Sequence, residues 1–78
     1  MAGIIAYVLV RTRVGAEHFI ANQIKGLPGV TEVVVTYGTY DLVVRIEADS
    51  FESLDRVVTR IRGLPEVIET VTLVGTPS

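Results

Sequence analysis

One segment of this sequence occurs twice: GLPGVTEVVV from Gly26 and GLPEVIETVT from Gly63, sharing the pattern G-L-P-x-V-x-E-x-V. Each copy follows an amphipathic stretch and runs out into a β-rich one, so the chain reads as one structural unit made twice. Whatever the first half forms, the second half is expected to form again.

In the first half, IIAYVLV within Gly3 to Arg11 reads as a strand. Ala16 to Lys25 then carries Phe19, Ile20, Gln23 and Ile24, with Leu27 next at helical spacing. Gly26 is expected to end this helix in a left-handed conformation, Pro28 bars its continuation, and Val30 to Tyr37 resumes β character. In the second half, Tyr40, Leu42, Val44, Ile46 and Ala48 alternate with Asp41, Val43, Arg45 and Glu47, the period of a strand with one face in a core. Asp49 or Ser50 is placed to cap a helix with Glu52 in its first turn and Phe51, Leu54, Val58 and Ile61 as its apolar stripe. Gly63 and Pro65 stop it, and Val67 to Val74 is the last strand.

The order βαββαβ with two right-handed crossovers is the α+β, ferredoxin-like arrangement: a four-stranded antiparallel sheet with both helices on one face. Two helices cover only that face, yet the first strand is apolar at both parities, Ile5, Tyr7 and Leu9 as well as Ile4, Ala6, Val8 and Val10. The second face is therefore expected to pack against another chain, with Val8→Asp as its probe. Length points the same way, since a domain of 78 residues buries only ~60% of the surface its unfolded chain exposes.

Several function classes are disfavoured. The chain has no cysteine, which removes disulfides, thiolate metal sites and a cysteine nucleophile. The net charge is -2, and the basic residues are scattered between Arg11 and Arg62, so nucleic acid is a poor direct partner. No apolar run reaches the ~18 residues needed to cross a bilayer and nothing resembles a signal peptide; a cytoplasmic protein with no membrane partner is expected. The single histidine, His18, lacks the further ligands a metal site needs, so no metal is expected. Glu32 and Glu69 occupy equivalent places in the repeat, which suits a shared strand role better than an acid and base pair. Arg56, Arg60 and Arg62 read as a solvated helix face tied to Glu52 and Asp55. The glycines fit neither common phosphate-binding pattern, and no cofactor is expected.

What remains is TYGTYD, Thr36 to Asp41. Tyr37 to Tyr40 fit a two-residue hairpin with Gly38 first in a type II′ turn. Asp41 then falls on the face opposite the core, either as a solvated acid or as a group at an interface able to receive an ammonium.

The G-x-Y-D of Gly38, Tyr40 and Asp41, followed by LVVRIEA, resembles the effector domain of the Lrp/AsnC regulators. So do the opening IIAYVLVRT, the helix ends LPGV and LPEV, and the last strand with Thr70, Thr72, Leu73 and Val74; together they cover nearly the whole chain. The resemblance implies a dimer of two face-to-face sheets, a dimeric α/β barrel, with dimers assembling into octamers or decamers and an amino acid effector bound in clefts between dimers. By position, the loop of Gly38, Thr39 and Tyr40 would present backbone groups to the effector, Asp41 would accept from its ammonium, and Thr70 and Thr72 would supply hydroxyls, with Asp41→Ala expected to spare folding. Residues 1–78 would form one effector-binding and oligomerisation domain without a helix-turn-helix, similar to the stand-alone members. Any transcriptional role would then run through amino-acid sensing or co-assembly with full-length Lrp/AsnC regulators. Two other readings stay open: a small dimeric α/β-barrel enzyme of monooxygenase type, for which only His18 is on offer, and a ligand-free oligomerisation module. ACT-type domains share the strand order but place their glycines after the first strand, where this chain has only Gly15.

Overall fold

Period-two alternation governs the strands. In Leu42–Ala48, Leu42, Val44, Ile46 and Ala48 are buried while Val43, Arg45 and Glu47 stay half-exposed, the signature of a strand covered on one side. The computed structural model describes residues 3–78, so the first two residues of the expected 1–78 domain lie outside the described residues. Its elements are β1 (Ile4–Thr12), α1 (Glu17–Lys25), β2 (Val30–Val35), β3 (Leu42–Ala48), α2 (Phe51–Arg62) and β4 (Val67–Gly75). The strands pair antiparallel in the order β2-β3-β1-β4, the ferredoxin-like sheet that the element order implied.

The repeat is carried by equivalent backbone hydrogen bonds. The Leu27 N–H donates to the Ile24 carbonyl at 3.0 Å, and the Leu64 N–H to Ile61 at 3.2 Å. Val30 then donates to Leu27, and Val67 to Leu64. The carbonyl of Gly29 accepts from the Glu47 N–H, and that of Glu66 from the Arg13 N–H, both at 2.9 Å. Each edge strand enters the sheet through a register shift just beyond, between Val30 and Glu32 in β2 and opposite Arg11 and Thr12 for β4. The halves differ mainly in their helices, nine residues in α1 against twelve in α2, close to one extra turn.

The helix ends correct one expectation. Gly26 and Gly63 are right-handed, with φ of -83° and -80°, because a tight i to i+3 bond closes each helix and needs no left-handed residue. The positive φ falls three residues later, at Gly29 (+87°). At the other end of α2, Ser50 is the cap: its hydroxyl accepts from the Ser53 N–H and the Ser53 hydroxyl accepts from the Ser50 N–H.

The core lies between the helices and one sheet face. Ile20, Ala21 and Ile24 of α1 and Leu54, Val57 and Ile61 of α2 close over Ala6, Val8, Val10, Leu42, Val44 and Ile46. Phe19 and Phe51, expected in the helix stripes, are instead exposed, because the stripes centre on 20/24 and 54/57/61 and put each phenylalanine at the margin. Val8 also requires correction: it is fully buried beneath the helices and cannot probe the second face. Arg56 and Arg60 form no ion pair with Glu52 or Asp55; the ion pairs among the described residues are Arg11–Glu69 and Arg45–Glu47.

The second face is open. Register places Val34, Val43, Leu9 and Val71 in one row across all four strands, with Arg45, Tyr7 and Leu73 in the next. Tyr7 and Val34 are each 42% exposed and Leu73 54%, so this chain alone leaves an apolar surface spanning the sheet in water.

Candidate functional site

The connection between β2 and β3 is wider than a two-residue turn. The Thr36 N–H donates to the Asp41 carbonyl at 2.9 Å, enclosing four residues, and the Thr36 hydroxyl donates to the Tyr40 carbonyl at 2.8 Å. Threonine at the mouth of the loop thus satisfies a carbonyl that a tighter turn would have paired, which replaces the expected type II′ geometry. Gly38, exposed near the tip, holds φ at +139°, a region L-residues rarely enter. A Cβ built there meets nothing within 4 Å, so the chain itself imposes no crowding, and strain alone penalises a side chain. Gly38→Ala is expected to lower stability by about 1–2 kcal/mol, read as a reduced denaturant midpoint at unchanged slope.

Asp41 is half-buried and already engaged. Its Oδ2 accepts from the Thr12 N–H at 2.8 Å, and its own N–H donates to the Val10 carbonyl at 2.8 Å. The carboxylate therefore caps the end of β1, where Thr12 is buried and the register shifts. The expectation that Asp41→Ala spares folding is corrected accordingly: an orphaned buried N–H costs about 1–3 kcal/mol. Oδ1 has no such bond to a described residue.

Thr70 and Thr72 share the helix-side face of β4, opposite Val10 and Val8. Leu42 also pairs with Val10, so the residue after Asp41 lies two inter-strand spacings, about 10 Å, from Thr70. Thr72 borders a separate shallow groove with Phe51, Leu54, Asp55 and Val58 of α2. A single chain thus brings Gly38, Thr39, Tyr40 and Asp41 together on one loop, with Thr70 at the same sheet end and Thr72 further along.

A polar cluster on the open face escaped the sequence reading. Arg45 donates to Glu47 and, at 2.9 Å, to the Thr31 hydroxyl. The Glu47 carboxylate, followed by Tyr7, raises the Arg45 guanidinium above its ordinary value, so it stays a cation. The signal was the second parity of β3, Val43, Arg45 and Glu47, read only as the face away from the core. Its counterpart in the other half is Arg11 with Glu69, 3.1 Å apart, in the register that sets Glu32 opposite Arg45. No group of three or more histidine, cysteine or acidic side chains able to hold a metal occurs among the described residues, and no helix there is long and apolar enough to cross a membrane.

A two-helix, four-stranded unit with this loop matches one known family model, that of the Lrp/AsnC ligand binding domain, over residues 5–76. The chain belongs to the Lrp/AsnC ligand-binding domain family. Among curated Lrp/AsnC-type relatives, the HTH-type transcriptional regulator FL11 of Pyrococcus horikoshii is 31% identical over 70 residues, 90% of this chain and 46% of FL11. The chain thus spans about half the length of that relative. Among solved structures, TTHA0845 of Thermus thermophilus superposes with a TM-score of 0.90 at 38% identity, covering 96% of this chain and 95% of that one. The transcriptional regulator NMB0573 of Neisseria meningitidis, solved as a complex with L-Met, shares the fold with a TM-score of 0.85 at 15% identity, over 97% of this chain and 51% of that one.

Proposed function

We propose that this Lrp/AsnC domain senses a small amino acid and passes the signal on through assembly, as a non-enzymatic cytoplasmic module of transcriptional regulation. The observation that carries the proposal is the match to the ligand-binding domain model over residues 5–76. The open apolar sheet face supports pairing of two copies into a dimeric α/β barrel, with octamers or decamers built from such dimers. The effector would sit in clefts between dimers. There the backbone of Gly38, Thr39 and Tyr40 would meet its charged ends, Asp41 its ammonium through Oδ1, and Thr70 and Thr72 would contribute hydroxyls. The roughly 10 Å between the loop and Thr70 in one chain fits a cleft completed by a neighbouring copy. A complex of NMB0573 with L-Met makes an amino acid the ligand class to test first. Full-length regulators with DNA-binding helices, FL11 being an HTH-type relative, are the partners through which such a domain would reach a promoter without touching nucleic acid itself.

Native mass spectrometry with and without the twenty amino acids tests assembly and ligand together. A multiple of dimers carrying the added mass of one amino acid per cleft is the expected result; a monomer without adduct overturns it. Asp41→Asn separates the carboxylate's two roles, because the amide oxygen can still accept from Thr12 while the charge is gone. It is expected to keep its melting temperature within a few degrees and to bind the amino acid about tenfold or more weakly, near 1.4 kcal/mol. Unchanged affinity in Asp41→Asn removes Asp41 from the site.

A further inference from the structure

At the opposite end of β3 from the effector loop, about 20 Å from Leu42 along the strand, α2 and the LPG turn flank an open groove of about 350 Å³. Its walls include Pro28 and Gly29 on one side, Asp49 and Ser53 at the start of α2, and Arg56 and Arg60 along that helix. The two arginines stand at i and i+4, where side chains on one helix face are neighbours and two like charges repel. Neither forms an ion pair among the described residues, and neither does Asp49. One wall is a position at which the copies of the repeat differ: Gly29 at φ +87° stands where the second copy has Glu66. Without a side chain the turn lies against β3, and a Cβ there would fall 2.9 Å from the Glu47 carbonyl oxygen.

We propose that this groove binds a small dianion, a phosphate monoester or a dicarboxylate, between Arg56 and Arg60. Two adjacent guanidiniums without carboxylate partners offer the forked donors that phosphate and carboxylate oxygens accept in pairs, and a dianion cancels the repulsion between them. The volume is at the small end for ligand pockets, which suits a compact molecule. Asp49 opposes the anion, so its charge limits the affinity from the other side of the groove. The site shares no residue with the loop of Gly38 to Asp41 and does not depend on an amino acid binding there.

Titration of the isotope-labelled protein with inorganic phosphate, and separately with succinate, at an ionic strength fixed by sodium chloride tests the site. Saturable shifts of the Gly29 and Ser53 amides and of the Arg56 and Arg60 side-chain resonances are expected with one of the two. Saturation by phosphate alone assigns the phosphate monoester class, and by succinate alone the dicarboxylate class. The double variant Arg56→Gln, Arg60→Gln, both at exposed positions, is expected to lose at least about tenfold in affinity, and Asp49→Asn to gain several-fold. No saturable shift with either anion, or a shift that survives in the double variant, overturns the proposal.

Discussion

Leu9→Asp is expected to leave the domain folded and dismantle its assembly, whereas Val8→Asp, one residue earlier, is expected to unfold it. The two side chains leave the same strand in opposite directions. Val8 is fully buried in the core beneath the helices, so a carboxylate there has neither water nor a partner. The penalty, about 4–5 kcal/mol, is comparable to the lower end of the stability of small domains. Leu9 is half-buried on the open face between Val43 and Val71. In a face-to-face dimer two such aspartates would be trapped between sheets whose guanidiniums, Arg11 and Arg45, are already paired with Glu69 and Glu47, and the dissociation constant should rise by about a thousandfold, near 4 kcal/mol. Circular dichroism in the cold, paired with sedimentation at several concentrations, reads both results. A Leu9→Asp protein that keeps its parental mass would refute the face-to-face pairing, and a folded Val8→Asp protein would contradict the placement of the core.

Gly29→Val is expected to be the most damaging substitution at any glycine of the chain. Two independent penalties coincide there. A φ of +87° is unfavourable for any L-residue and most of all for a β-branched one. The new Cβ would also meet the Glu47 carbonyl oxygen at 2.9 Å, and that oxygen is backbone within a paired strand. The Glu47 N–H donates to the carbonyl of Gly29 itself, so relieving the clash breaks the bond that docks the LPG turn on β3. A loss of about 3–4 kcal/mol follows, and with it a fall in melting temperature of at least about 12 °C for a domain of this size. Gly38→Ala, with open space around its Cβ, should lose about half as much. Equal effects at the two glycines would show that the close approach at Gly29 contributes nothing.

Much of this architecture is readable in the linear sequence because its cause is local. The period-two burial of Leu42 to Ala48, the stop signals after Lys25 and Arg62, and the repeated GLPxVxExV determine element types and order, and handedness then leaves one topology. The family is legible for the same reason, since the loop motif and both helix ends are contiguous stretches. Reading fails where a residue's role depends on what approaches it from elsewhere in the chain. Nothing next to Asp41 in the sequence announces that its carboxylate caps Thr12, twenty-nine residues away. Period alone did not say that Phe19 and Phe51 would fall outside the stripes they border.

The two halves of the repeat show where that boundary lies. Sequence by itself determined that the chain builds one unit twice, that each helix ends at GLP, and that β1 is apolar on both sides, because backbone propensity and hydrophobic period act over a few residues. Only the tertiary structure decided that the first copy needs glycine at position 29 while the second accepts Glu66. It also decided that Arg45 finds Thr31 across the open face, and that Arg56 and Arg60 stand unpaired over a groove shared with the LPG turn. Those outcomes rest on distances between strands and helices far apart in sequence, and such distances exist only once the sheet has closed against its helices.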